Sequence, residues 1–139
     1  MSTTIDADAR QEISDVLVRY ATGIDRRDWT LFRSCFTEDC VADYGDIGRW
    51  TGADAITAWM DTTHRGAGHT LHRITNLAVG VGDDGTVRVR AYVDAIVMGL
   101  DDLSGIQAAG HYDDEFIRTT QGWQINRRRF TPVLYQAVP

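Results

Sequence analysis

The sequence is short of positive charge: 14 Lys and Arg stand against 20 Asp and Glu, a formal net charge of −6 over 139 residues. That balance gives no support to a basic face that tracks phosphates, the main source of nucleic-acid affinity, and makes an anionic membrane surface equally unattractive. No apolar run approaches a membrane-spanning length. Met1 to Arg10 holds Asp6 and Asp8 and no apolar stretch, so a signal peptide or anchor is not expected there and the expected location is the cytoplasm. Cysteine is scarce. Cys35 and Cys40 are the only two and are not spaced as Cys-x-x-Cys, which speaks against a redox motif or zinc knuckle; both are expected reduced and buried. Repeats, linkers and low-complexity segments are also missing, so a single domain over 1–139 is expected. A chain of this length buries about two-thirds of its unfolded surface and can fold without staples. With 43% hydrophobic and 24% charged residues the composition is ordinary for a globular protein.

Several familiar motifs fail on context. Gly80-Val81-Gly82-Asp83-Asp84-Gly85 has the spelling of a dinucleotide fingerprint, but the residues after it alternate as a strand where the phosphate chemistry needs a helix N-terminus, and Asp83 and Asp84 would repel phosphate. It reads as a hairpin turn. His64, His69 and His72 lie close together without a His-Glu-x-x-His pattern, and the odd offset between His69 and His72 puts them on opposite faces of a strand, so no metal site is expected. There is no Gly-x-Ser-x-Gly elbow. Alternation along a strand divides Arg127, Arg128 and Arg129 between faces, with two of the three expected in solvent.

What is present is a change of period. Ile13, Val16, Leu17, Tyr20 and Ile24 recur at helical spacing, predicting an amphipathic helix from about Asp8 to Ile24, with Asp8 and Gln11 as a capping pair. Asp28 can cap a short second helix carrying Leu31, Phe32 and Phe36. Thr51-Gly52-Ala53-Asp54 introduces a third with Ile56, Trp59 and Met60, and Val41 to Trp50 reads as short extended segments. From Thr70 onward the period is two: Val87, Val89, Ala91, Val93, Ala95 and Val97 alternate against Arg88, Arg90, Tyr92 and Asp94. Turn chemistry at Asp83–Gly85, Asp101–Gly105 and Thr120–Gly122 predicts an antiparallel meander of four strands ending near Tyr135. Helices first and strands second give an α+β domain whose curved sheet wraps its apolar face around the helices.

One acidic position stands out. Leu17, Ala21 and Asp25 form a row at four-residue steps on the edge of the apolar stripe, which points a carboxylate toward the core near a helix C-terminus, where the macrodipole disfavours it. Either Asp25 finds a donor there or the helix frays after Gly23 and Asp25 pairs with Arg26 or Arg27. His72 shares a strand face with Thr70 and Ile74. If it meets Asp25, the carboxylate fixes the imidazole tautomer and stabilises imidazolium, making His72 a general base. Such a pair abstracts a proton instead of activating an alcohol.

Arg19-Tyr20-Ala21-Thr22-Gly23-Ile24-Asp25-Arg26-Arg27-Asp28-Trp29, Phe36-Thr37-Glu38-Asp39-Cys40, Thr70-Leu71-His72-Arg73-Ile74-Thr75-Asn76 and Gly122-Trp123-Gln124-Ile125, in that order along nearly the whole chain, resemble the SnoaL-like branch of the nuclear transport factor 2-like superfamily. The Asp25 and His72 segments narrow the likeness toward its scytalone dehydratase and hexachlorocyclohexane dehydrochlorinase group. The resemblance implies a cone-shaped α+β barrel in which three N-terminal helices pack into a curved, mainly antiparallel sheet around an apolar pocket. By position it implies a base dyad at Asp25 and His72, a dehydrochlorinase-like arginine at Arg128 (Arg127 or Arg129 if a bulge intervenes) and a scytalone dehydratase-type tyrosine at Tyr44. Departures are visible too. Tyr20 stands where the dehydrochlorinase has a lysine, and the strand Val93 to Met98 lacks the second histidine of scytalone dehydratase. Tyr20 instead resembles the oxyanion-hole tyrosine of ketosteroid isomerase, with Asp43 near that family's acid.

Tyr112 and Phe116 share a strand face and, with Ile56, Trp59 and Met60, either line the pocket or form plain core. Trp50, Phe130 and Tyr135 could equally serve an oligomer interface, since domains of this superfamily usually pair through their sheets. The expectation is a cofactor-independent lyase or isomerase of dehydratase or cyclase type. It would act on an apolar oxygenated small molecule such as a polyketide, terpenoid or steroid-like intermediate, in a homo-oligomer, dimer or trimer. The other readings are a non-catalytic binding or assembly module of the same fold and a structural subunit resembling the β-subunit of ring-hydroxylating dioxygenases.

Overall fold

A computed structural model describes residues 5–139. Helix α1 (Ala7–Asp25) buries Ile13, Val16, Leu17, Tyr20 and Ile24, the apolar face that its spacing predicts. Its cap is Asp6, whose carboxylate accepts from the Ala9 amide at 2.8 Å, two residues before the expected Asp8. Asp28 caps α2 (Trp29–Arg33) by accepting from the Leu31 amide. This helix is a single turn and ends before Phe36, which instead opens strand β1 (Phe36–Asp43). The Phe36 side chain still reaches the core, but from the sheet. A 3₁₀ turn at Gly45–Ile47, strand β2 (Arg49–Thr51) and helix α3 (Ala53–Arg65) follow.

The meander then runs as expected through β3 (Ala67–Val81), β4 (Val87–Gly99), β5 (Gly105–Thr119) and β6 (Gly122–Val138). The sheet order is β2-β1-β6-β5-β4-β3, with β1 parallel to β6 and every other neighbour antiparallel. Register slips at Thr75/Ala78, Ala109/Gly110 and Glu115/Phe116 put bulges into the long strands, which bends them around the helices. Gly110 sits on one of these bulges, where a Cβ would lie 2.1 Å from the Thr131 carbonyl oxygen. Gly23 has a similar role between helices: a Cβ there would lie 2.8 Å from the Phe32 amide nitrogen, so α1 and α2 cross backbone to backbone. The result is the α+β cone of three helices held in a curved mixed sheet. Among the described residues no helix is long and apolar enough to cross a membrane.

Candidate active site

The helices do not fill the cone. Between them and the concave sheet face lies a cavity of about 820 Å³, lined by Tyr20, Tyr44, Trp59, Met60, His64 and His72 among others. Its floor exists because inward positions of the sheet are small: Ala95 on β4 faces Ala108 on β5 in register, and both line the space. Of the five residues expected to form its wall, Trp59, Met60 and Tyr112 do so. Ile56 and Phe116 do not line it; both are fully buried in the core behind it, where they pack instead. Trp50 stacks on Trp59 at 4.5 Å between ring centroids and Phe130 lies in the core at the cavity wall, while Tyr135 is largely exposed at the same cavity.

At one end Asp25 accepts three hydrogen bonds. They come from the His72 ring at Nδ1 (2.8 Å), the His72 backbone amide (2.9 Å) and the Thr70 hydroxyl (2.8 Å). The amide is available because β3 is a sheet edge, so the N–H groups on its outer side have no strand partner. Burial alone would raise the Asp25 carboxyl, but the bonds from His72 and Thr70 outweigh it and hold the group below its ordinary value. An ionised carboxylate can only accept, so His72 Nδ1 carries a proton, and a neutral ring presents Nε2 as a bare lone pair. The His72 side chain is 9% exposed and lines the cavity. Arg27, in a left-handed turn after α1 (φ 56°), donates to Thr70 Oγ1 and the Ile24 carbonyl at 2.9 Å each and to the Gly68 carbonyl. It thereby ties the C-terminus of α1 to the start of β3.

Three phenols meet at the same cavity, with the Tyr20 ring edge-on to the His72 ring at 6.5 Å between centroids. The Tyr20 hydroxyl is 2.9 Å from both the Tyr44 and the Tyr112 hydroxyls. Burial raises the Tyr20 and Tyr112 phenols well above their ordinary value, so both stay protonated. Two bonds among three phenols use two hydrogens, which leaves one to donate outward. Arg128 lies behind this cluster and not in the cavity wall. Its guanidinium binds Asp114 in a bidentate pair at 2.8 Å on each arm, and both side chains are 0% exposed. It stacks on the Tyr112 and Tyr20 rings (3.7 and 4.3 Å to the centroids) and reaches the Tyr44 hydroxyl at 3.4 Å. The dehydrochlorinase-like arginine is thus a cation held one layer behind the cavity wall. Arg127 and Arg129 are exposed, which leaves Arg128 as the inward member of the run.

Asp43 accepts from the Gly45 amide at 2.9 Å and lines a separate groove of about 490 Å³ with Arg88, Arg90, Asp113 and Arg129. These charges sit on the outer side of the strands, so the isomerase-type acid is absent from the cavity. His69 pairs with Asp102 at the surface at 2.9 Å. Cys35 and Cys40 are buried free thiols, each pushed up to about 11 by burial. The chain has no lysine, so every permanent cation is an arginine.

The sequence gives no role in the site to Thr70, Arg27, Asp114 or His64. Thr70 was visible as the residue two before His72 on the same strand face. His64 extends the row Ile56, Met60, His64, the counterpart on α3 of the row that reveals Asp25 on α1. Arg27 and Asp114 carry no such signal, since a left-handed turn and an inward acid on a strand are settled by tertiary contacts.

A SnoaL-like domain profile matches residues 6–129. Relatives include an uncharacterized protein of Mycobacterium tuberculosis, 31% identical over 131 residues that cover 92% of this chain and 88% of the relative. A crystal structure provisionally assigned as an aromatic ring hydroxylase from Novosphingobium aromaticivorans is 28% identical, with a TM-score of 0.84 over 97% of this chain and 96% of that one. The type 3 hexachlorocyclohexane dehydrochlorinase of Novosphingobium barchaimii superposes with a TM-score of 0.82 over 94% and 90% of the two chains, at 17% identity, which speaks to fold alone.

Proposed function

The chain belongs to the SnoaL-like domain family, a branch of the nuclear transport factor 2-like superfamily, and from that premise we propose that it is a cofactor-independent lyase or isomerase acting on an apolar, oxygenated small molecule. The observation that carries the reading is the 2.8 Å bond between His72 Nδ1 and Asp25, with His72 facing a cavity of about 820 Å³ that a phenol cluster also lines. His72 Nε2 removes a proton from a substrate carbon, and Asp25 stabilises the imidazolium that forms. The free hydrogen of the Tyr20, Tyr44 and Tyr112 cluster donates to the substrate oxygen on which charge develops. Arg128 acts through that cluster: a cation against the Tyr20 and Tyr112 rings favours negative charge at the hydroxyls.

The next step decides the class. In a lyase the carbanion's electron pair forms a double bond as the β-substituent leaves, and the imidazolium returns its proton to a departing hydroxide to give water. In an isomerase the same proton goes back to a different carbon. Chemistry of the first kind is what the name of the Novosphingobium barchaimii dehydrochlorinase describes.

The test is untargeted mass spectrometry of a native-host metabolite extract incubated with wild-type protein and, separately, with His72→Ala. General base catalysis contributes about 10²–10⁴-fold, so a compound consumed by wild type should persist with the variant. The product should be lighter by one water or equal in mass. A compound retained unchanged by both proteins would make this a binding module.

A further inference from the structure

His64 enters the same cavity as His72 and has no part in the proton transfer above. It lies at the end of α3, 7% exposed, with its ring centroid 5.7 Å from Trp29 and 6.4 Å from His72. Its Nδ1 is 2.8 Å from the Met60 carbonyl oxygen. A carbonyl can only accept, so Nδ1 carries the ring's proton and the neutral ring leaves Nε2 bare. No hydrogen-bond partner for that nitrogen is found among the described residues. Burial lowers the His64 pKa, the Met60 carbonyl opposing, while the nearby Arg27 guanidinium lowers it further and Asp25 opposes it. At Nε2 neutral His64 is therefore an acceptor and not a donor.

Two imidazoles thus turn the same chemical face to one space. His72 Nε2 finds its partner in the proton it removes from carbon. His64 Nε2 has none, and a ligand that fills the cavity with hydrocarbon strips water from an acceptor and pairs it with nothing, a cost larger than the gain from an ordinary hydrogen bond. The two lone pairs cannot satisfy each other. Only a ligand that brings an O–H or N–H can.

Resting on the reading of His72 as the base, we propose that His64 is a substrate-positioning residue that accepts a hydrogen bond from a hydroxyl group of the substrate, so that the molecule carries that hydroxyl about one ring width from its acidic carbon. The substrate class narrows from oxygenated to hydroxylated: a phenol, enol or alcohol, in addition to the oxygen held by the tyrosines. His64 has no proton at Nε2 to give, so a departing hydroxide must be protonated by His72.

The probes are β-naphthol and β-methylnaphthalene, matched in shape and differing in the donor, titrated at neutral pH and followed by naphthyl fluorescence. We expect the ratio of their affinities to shift against β-naphthol by roughly fivefold in His64→Phe, which keeps a ring and loses Nε2. β-Methylnaphthalene should bind His64→Phe more tightly than wild type, because the variant has no acceptor left to strand, and His72→Phe should preserve the wild-type ratio. In wild-type protein labelled with ¹⁵N, the His64 Nε2 resonance should move upfield on saturation with β-naphthol and stay in place with β-methylnaphthalene, a readout independent of whether a variant folds. An unchanged ratio in His64→Phe with an unmoved resonance overturns the proposal. A ratio lost only in His72→Phe assigns the acceptor to His72 and overturns the role of His64 while leaving the base intact. Failure of wild type to bind either compound overturns it together with the cavity reading.

Discussion

Asp25 and Asp114 are both carboxylates that this fold withdraws from water, and they end in opposite electrostatic conditions. Burial raises both. At Asp25 the His72 ring, the His72 amide and the Thr70 hydroxyl reverse the effect and leave the carboxyl below its ordinary value. At Asp114 the attraction of Arg128 opposes burial without overcoming it, and the carboxyl stays raised. The partners differ in kind: an imidazole can exchange its proton near neutral pH, whereas a guanidinium cannot. Access differs as well, since the Asp25 side chain is 22% exposed beside the cavity and that of Asp114 is sealed at 0%. The first arrangement suits moving a proton, the second holding a fixed charge behind a phenol cluster.

The sharpest break of this contrast is Arg128→Met. Removing one partner of a buried pair leaves the other charge uncompensated and costs about 3–5 kcal/mol, measurable by urea denaturation. Arg128→Met combined with Asp114→Leu should recover most of that loss, because no stranded charge remains. A single variant as stable as wild type would show that Asp114 is neutral in the fold.

Asp25→Asn comes next, at about 2 kcal/mol near pH 7 for bonds made to a charged group. Its signature lies in acid. A carboxyl with a folded-state pKa below its unfolded 3.8 contributes stability that is fully present above 3.8 and lost as pH falls through the folded value. The stability of wild type should therefore fall more steeply than that of Asp25→Asn below pH 3.8, and parallel curves would show that Asp25 gains nothing from its partners. The smallest effect belongs to Thr70→Val, about 1 kcal/mol, read as a lowered melting temperature. It removes the donor to Asp25 and the acceptor for Arg27 but leaves the bonds from His72 in place, so it tests how far the support of the pair extends.

Periodicity made most of the fold legible. The stripe from Ile13 to Ile24 and the alternation from Val87 to Val97 each repeat one physical requirement, burial on one side, often enough to be read. The misplaced pieces were local or long-range. The choice of Asp6 over Asp8 as cap turns on the conformation of one residue. Phe36 belongs to a strand because β6 offers it a parallel partner at Ile125, far along the chain. In the site, Asp25 and His72 were legible as an acid at the edge of an apolar row and a histidine on a strand face. Whether an inward side chain touches the cavity depends on depth, which alternation does not encode, so Ile56 and Phe116 fell behind the wall and Arg128 fell behind the tyrosines.

The parallel seam between β1 and β6 sets an order of events in folding. Cys35 accepts from the Ile125 amide, Ser34 from the Gln124 side chain, and the Thr37 hydroxyl meets the Asn126 side chain, so residues about ninety positions apart clasp one another. Closing a loop of that length precedes any reward from the contacts it allows, which makes such pairings slow. On a ribosome the three helices and β1 emerge long before the strand that seats them. Until β6 arrives, Tyr44 has neither Arg128 nor Phe130 beside it. Chain truncated within β6 should expose apolar helix faces and seek other strand edges, with aggregation as its characteristic failure.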